Sequence, residues 1–252
     1  MSVVLATVYF QRPGAESYLP QLQRWVKHIE QNWTCHPEKH VMIATDTETN
    51  LEQVPIRMGQ QFLAYFAMNL EQSPYLETMR PNYWMDRKEA IVLALVKKLG
   101  ESNTPFLIVD LDTVFRVDVI PHFQHALSQG RGRYWAMCED CCERTVRNEL
   151  GHSVPERNAG VMWFGNPEGN LAIHDDYVRE FERLKHLYGD SVILGQKVWS
   201  SIHSQAKHGT LLPKPYNWSH RWGDNSDAYI SHFHGPAGKR KMELNGSRSI
   251  SD

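Results

Sequence analysis

The sequence predicts an α/β domain whose mixed, mostly parallel sheet is flanked by helices. Three observations carry this expectation. Short apolar, β-branched segments alternate with amphipathic ones through the first half of the chain. The 252 residues are 41% hydrophobic and 22% charged, ordinary globular composition with enough length for one sizeable core. Carboxylates also stand at the ends of apolar strands, where open α/β sheets collect their ligands.

Taken in order, "SVVLATVYF" (2–10) reads as a buried strand. "SYLPQLQRWVKHIEQNW" (17–33) puts Leu22, Trp25, Val26 and Ile29 on one helical face. "HVMIATD" (40–46) is a second apolar strand, ending in Asp46. "MDRKEAIVLALVKKLG" (85–100) is a helix with two lysines in its last turn, closed by Gly100. "PFLIVDLD" (105–112) is the next strand and carries Asp110 and Asp112 at its end. The second half is mixed. "RYWAMCED" (133–140) and "AGVMWFG" (159–165) read as strands, and residues 170–189 and 191–205 as helices. "AYISHFHG" (228–235) is the last strand. No repeat or polar linker divides the chain, which predicts one domain over 1–238 and a polar, disordered tail over 239–252.

Composition excludes several classes. The net charge of −2 gives no reason to expect nucleic acid as a partner. No apolar run reaches the roughly 20 residues of a transmembrane helix. "MSVVLATVYFQRPG" lacks the basic start of a signal peptide, so a cytoplasmic location is expected. The "KRK" run near the end is the one feature that admits peripheral membrane contact. Four cysteines (Cys35, Cys138, Cys141, Cys142) do not form a secreted scaffold, and one Cys-x-x-Cys without a second ligand pair is a weak zinc signal. They read as thiols in a reducing compartment, and the sequons "NWT", "NWS" and "NGS" read as unused.

Asp110 and Asp112 carry the functional signal. Carboxylates at i and i+2 of an extended chain share a face and repel unless a cation or a shared proton compensates. A hard divalent cation compensates well; the bland alternative is a strand end in water. Two chemistries use such a pair. In haloacid-dehalogenase-like phosphatases, Asp110 would be the nucleophile and Asp112 the general acid. In nucleotide-sugar glycosyltransferases, both would hold a metal that neutralises the leaving diphosphate. The phosphatase motif belongs near the start of its domain and requires a later paired acid; "GDSVILG" lacks the second acid and "HDD" lies inside an amphipathic helix.

An ordered set of segments resembles the GT-A glycosyltransferases related to glycogenin and the bacterial lipooligosaccharide galactosyltransferases. "FLIVDLDTVF" (106–115) is similar to their metal motif, and "RNAGVMWFG" (157–165) to their donor-sugar segment. "GQKVW" (195–199) stands where they carry an Asp-Gln pair, and "HFHGPAGK" (232–239) resembles their C-terminal His…Gly…Lys motif. The resemblance implies a GT-A-type, Rossmann-like fold and a retaining transfer of a hexose from a UDP-linked donor. It implies Mn²⁺, or Mg²⁺, on Asp110, Asp112 and His232, with His234 as the alternative ligand. It places Lys239 on the diphosphate, Asn158 and Gly160 along the donor sugar, and Gln196 beneath its reacting face. Thr7 and Tyr9 would meet the base and ribose, and Arg87 or Lys88 a phosphate or sugar hydroxyl. Asp140 would accept from sugar hydroxyls, and the acidic candidates for catalysis are Asp140, Asp190 and Asp224. Trp33, Trp84, Trp163, Trp199, Trp218 and Trp222 read as core; the second reading of Trp218 and Trp222 is an acceptor site, since aromatic faces stack on sugars, and the acceptor would be a carbohydrate, glycolipid or protein.

Two departures stand out. Gly195 replaces the expected acid, and one extra residue precedes Lys239. The first keeps open a third reading, a non-catalytic nucleotide-sugar-binding protein.

Overall fold

The computed structural model describes residues 3–10, 18–32, 39–46, 63–68, 84–128, 135–165, 167–189, 194–205 and 209–246. In chain order the first elements are β1 (Val3–Val8), α1 (Leu19–Asn32), β2 (Lys39–Asp46), β3 (Leu63–Met68), α2 (Trp84–Glu101) and β4 (Phe106–Val109). Then come β5 (Thr113–Phe115), α3 (Ile120–Ser128), β6 (Trp135–Glu139), β7 (Thr145–Arg147), β8 (Ser153–Pro155) and β9 (Arg157–Phe164). The remainder is α4 (Pro167–Tyr188), α5 (Gly195–Gln205), β10 (Gly209–Leu212), β11 (Trp218–Ser219), β12 (Ile230–His232) and α6 (Gly235–Gly246), with two short 3₁₀ turns around β11.

Seven strands form the main sheet in the order β10-β6-β9-β4-β1-β2-β3. All neighbours are parallel except β9, which runs antiparallel to both β4 and β6. Strand alternation sends side chains to two apolar layers. Val4, Ala6, Phe106 and Ile108 join Leu93, Tyr177 and Trp199 of α2, α4 and α5. Val3, Leu5, Leu107 and Val109 join Leu22, Trp25 and Phe123 of α1 and α3. The expected mixed, mostly parallel sheet is therefore present, and Trp163 and Trp199 lie in its core.

Local chemistry sets where β4 stops. The Asp110 amide still donates to the Gly160 carbonyl of β9, at 2.9 Å, but the chain then turns. The Thr113 amide and hydroxyl both donate back to the Asp110 carbonyl, at 3.2 and 2.7 Å. That turn sends β5 out of the main sheet into a second one, β11-β12-β5, where His232 lies opposite Thr113. Asp110, Asp112 and His232 are thus brought together where the two sheets meet.

Three expectations are corrected. Gly100 lies inside α2, and the left-handed residue that ends the helix is Asn103 at φ 54°. Its amide donates to the Gly100 carbonyl and that of Thr104 to Leu99, a Schellman-type close in which asparagine takes the place usually held by glycine. Residues 239–246, expected to open a disordered tail, instead continue α6, which runs to Gly246; residues 247–252 lie outside the described residues. The strand expected over 228–235 shortens to Ile230–His232 because Gly235, at φ 74°, turns the chain into α6.

One buried base gives a stability prediction. Burial lowers the His203 pKa to about 4 against a weaker opposing effect of the Thr210 carbonyl, 3.0 Å from Nε2. Its folded pKa lies below the unfolded value, so the unfolded chain takes up the proton first and stability falls as pH drops from about 6.5 toward 4. The loss is about 3 kcal/mol, since each pKa unit is worth about 1.4 kcal/mol. His203→Gln keeps a donor for Thr210 and is expected to flatten this part of the acid limb in urea titrations at pH 7 and pH 4.5. Parallel acid limbs for the two proteins would disprove the assignment.

Candidate functional site

Asp110, Asp112 and His232 offer ligand atoms that all lie within 4.8 Å of one another. His232 Nε2 is 3.2 Å from Asp112 Oδ1 and 4.0 Å from Asp110 Oδ2. Two ligands at right angles on a cation with bonds of about 2.1 Å stand about 3.0 Å apart, so the trio is close to a cation-binding spacing. The second ring nitrogen is also fixed. The Asn217 amide nitrogen donates to Asn158 Oδ1 at 3.0 Å, so its oxygen accepts from His232 Nδ1, at 3.1 Å. Nε2 is left facing the carboxylates, the orientation a metal-binding histidine requires.

The charges reinforce this arrangement. Burial opposes ionisation of Asp112, but His232, then Lys239 and Lys88, outweigh it and hold the carboxyl well below the usual range. Burial likewise opposes a charge on His232, yet Asp112 and Asp110 raise its pKa above the ordinary imidazole value. Lys88 Nζ lies 2.6 Å from Asp110 Oδ1, and the acidic neighbours raise its pKa despite burial. Three buried or half-buried ionisable side chains and a lysine therefore face one point.

A polar chain leads away from this trio. Asn158 Oδ1 accepts from the Gly160 amide at 2.8 Å, and its Nδ2 donates to Asp140 Oδ1 at 3.3 Å. Gln196 Nε2 donates to Asp140 Oδ2 at 3.1 Å. Arg144 pairs with Asp140 at 2.9 Å and outweighs burial, so the Asp140 carboxyl sits below its usual range. Asn158, Gly160, Asp140 and Gln196 thus occupy one continuous network, although they come from β9, the end of β6 and the start of α5. Gly160 is required by His232: a Cβ there would lie 2.0 Å from its Cε1. The sequence reading gave that closeness to the donor sugar.

The other expected residues divide. Lys239 lies in α6 with Nζ 4.7 Å from the Tyr18 ring centroid, and its charge lowers the Asp112 pKa. The extra residue before it, Gly238, packs on Phe233, whose carbonyl carbon and oxygen lie 2.5 Å from a Cβ built there. Thr7 is fully buried and its hydroxyl donates to the Val109 carbonyl at 2.7 Å, tying β1 to β4 within the sheet. Tyr9 is buried just beyond β1, with its amide donating to the Ala44 carbonyl. His234 points elsewhere; its Nε2 meets Cys141 Sγ at 3.1 Å and Ser219 Oγ at 3.0 Å. Trp218 and Trp222 contact each other edge to face, 5.4 Å apart. Asp224 is exposed and paired with Lys241 at 2.6 Å. Asp190 and Trp33 lie outside the described residues, as do the side chains of Asp46 and Trp84.

Three residues were missed. Asn217 belongs to a sequon, but its buried side chain orients His232. Glu156 is buried and pairs with Lys197 and, at 3.3 Å, with Arg144. Glu89, on α2, is buried and accepts from Trp199 Nε1 at 2.7 Å, and burial raises its pKa. Its Oε1 would lie 2.5 Å from a Cβ on Gly195, so its carboxyl group fills the side-chain space beside Gln196.

No family model and no curated protein sequence matches the chain. Solved structures do. The chain superposes on the galactosyltransferase LgtC, in complex with donor and acceptor sugar analogs, with a TM-score of 0.65 at 16% identity, covering 100% of this chain and 98% of that one. Mouse xyloside xylosyltransferase 1, in its apo form, gives a TM-score of 0.63 at 11% identity, covering 94% and 99%. An active-site glutamine-to-glutamate mutant of LgtC gives 0.60 at 15% identity, covering 98% and 96%. The fold is that of the GT-A-type glycosyltransferases, over almost the whole chain.

Proposed function

We propose that the chain is a metal-dependent glycosyltransferase that moves a hexose from a UDP-linked donor to an acceptor hydroxyl with retention. The observation that carries the reading is the convergence of Asp110, Asp112 and His232 at the end of β4, with His232 Nδ1 held by Asn217. It occurs in a fold shared with LgtC and the xylosyltransferase. A donor set of two carboxylates and one imidazole suits Mn²⁺ better than Mg²⁺. Bound there, the cation would neutralise negative charge on the leaving diphosphate.

The chain's own residues supply the rest. Lys88 and Lys239 set positive charge near Asp112, which favours an anionic ligand at this point. Asn158 and Gln196 present amides along the network that ends at Asp140, suited to orienting sugar hydroxyls. Asp140 keeps its negative charge in that network because Arg144 faces it. The edge-to-face pair Trp218 and Trp222 offers aromatic surface of the kind on which sugars stack. Acceptors of this reading are a carbohydrate, a glycolipid or a protein. Among the described residues no helix is long and apolar enough to cross a membrane.

Titration calorimetry of UDP into the protein, with Mn²⁺ and with EDTA, tests the reading on wild type and Asp112→Ala. Micromolar binding is expected for wild type with Mn²⁺ only. Binding that ignores EDTA and Asp112→Ala, or no binding at all, would overturn it, and a phosphoenzyme on Asp110 would favour the phosphatase.

A further inference from the structure

Beside the Asp110 trio lie two cysteines and a histidine that the proposed reaction does not use, gathered around Asp140. Cys141 and Cys142 follow β6 in a bend, and the fold brings His234, from beyond β12, against them. Cys141 Sγ lies 3.8 Å from Cys142 Sγ, 3.1 Å from His234 Nε2 and 3.7 Å from Asp140 Oδ1. The ligand atoms of Asp140, Cys141 and Cys142 all lie within 4.8 Å of one another. Neither cysteine is in a disulfide.

These spacings are those of a tetrahedral thiolate site. Around zinc, with Zn–S of about 2.3 Å and Zn–N of about 2.1 Å, two sulfurs stand about 3.8 Å apart and a sulfur and a nitrogen about 3.6 Å apart. The sulfur pair already has that separation, and the His234 nitrogen is within half an ångström of the expected distance from Cys141 Sγ. We propose that Cys141, Cys142, His234 and Asp140 form a second cation site, selective for a thiophilic d¹⁰ ion such as Zn²⁺. In sequence the Cys-x-x-Cys had no second ligand pair; the fold provides one from residues 140 and 234, and the pair of sulfurs used is the adjacent one.

The surroundings match an anionic ligand set. Two thiolates and a carboxylate leave a net negative charge around a divalent ion. Arg144 faces the carboxylate at 2.9 Å, and Arg221 NH1 donates to Cys142 Sγ at 3.0 Å. Binding would release the two thiol protons to water, one from each cysteine. Softness separates the two sites: oxygen-rich Asp110, Asp112 and His232 suit a hard ion, and sulfur-rich Cys141 and Cys142 a soft one. The sites are adjacent, because the His232 and His234 rings meet edge to face at 4.7 Å. Asp140 also holds Asn158 and Gln196, so loading the second site would pull on the first network.

Cobalt(II) distinguishes the sites without any assay of activity, since only thiolate ligation gives strong near-ultraviolet charge-transfer absorption. With a non-thiol reductant present, the wild-type chain is expected to show that absorption and intense tetrahedral bands in the visible at one equivalent. One equivalent of Zn²⁺ should bleach them. Cys141→Ser and Cys142→Ser should each abolish the charge-transfer absorption, His234→Ala should shift the visible bands, and Asp112→Ala should keep both. Absence of the bands in wild type, their survival in both serine variants, or their loss only in Asp112→Ala would overturn the proposal. The test is independent of the glycosyltransferase reading, which could fail while this site stands.

Discussion

Gly160→Ala is expected to abolish metal-dependent UDP binding while leaving a folded protein. A Cβ on Gly160 would lie 2.0 Å from His232 Cε1, 2.7 Å from Nδ1 and 2.8 Å from Nε2, against an ordinary carbon contact of about 3.5 to 4.0 Å. The imidazole has no easy retreat. Its Nδ1 is held by Asn217, its other side meets the His234 ring, and its backbone is paired with Thr113 on β5. At 3% exposure there is no open side to swing into. A single methyl group therefore displaces a proposed ligand by more than a bond length. Overpacking of this kind costs about 1 to 3 kcal/mol of stability. Disturbing a residue that orients a ligand costs roughly 10 to 100-fold in metal affinity, and removing the ligand from its place should cost more than that. Calorimetry of Mn²⁺ binding and a urea midpoint measure the two effects separately. Unchanged Mn²⁺ affinity in a folded Gly160→Ala protein would mean that His232 is not a ligand.

What could be read from the sequence followed from the range of each signal. The helix 85–100 and the apolar part of the strand expected over 105–112 were legible because their patterns are local; the strand itself ends at Val109, and Asp110–Asp112 form a turn instead of continuing it. The antiparallel course of β9 was not, since a buried strand looks alike in either direction. β7 and β8 are three-residue strands paired only with each other, too short for alternation to register. Asp110 and Asp112 declared themselves by spacing, and His232 by the motif around it. Asn217 and Glu89 did not, because their roles lie in contacts across 15 and 110 residues that no local pattern encodes. The same limit explains Thr7: strand position was readable, but not that its hydroxyl would be taken by Val109, 102 residues away.

Where the resemblance expects an acid at position 195, a carboxyl group from another helix takes the side-chain space, and this coupling can be measured. Gly195 opens α5 with an ordinary, non-positive φ, so space rather than backbone conformation demands glycine there. The space is taken by Glu89, whose Oε1, Cδ and Cγ lie 2.5, 2.7 and 2.8 Å from a Cβ at 195. Glu89 cannot yield freely, because Trp199 Nε1 donates to its carboxyl group in the core. Gly195→Asp alone should therefore cost about 1 to 3 kcal/mol through overpacking. Glu89→Ala alone leaves the buried Trp199 donor unpaired and a gap beside it, a loss of about 1 to 3 kcal/mol from the unmet hydrogen bond before any cavity is counted. In the double variant Glu89→Ala/Gly195→Asp the new side chain enters the vacated space, at a helix start where a carboxylate is favoured by the helix dipole. The double variant should be more stable than the sum of the single losses by about 1 kcal/mol or more, within the usual range for side chains in contact. Any glycosyl transfer lost in both single variants should return with the carboxylate. Strict additivity in urea midpoints would show that Glu89 does not occupy the Gly195 space. Coupling in stability without recovery of transfer would show that the carboxyl group there supports the core around Trp199 and not the donor site.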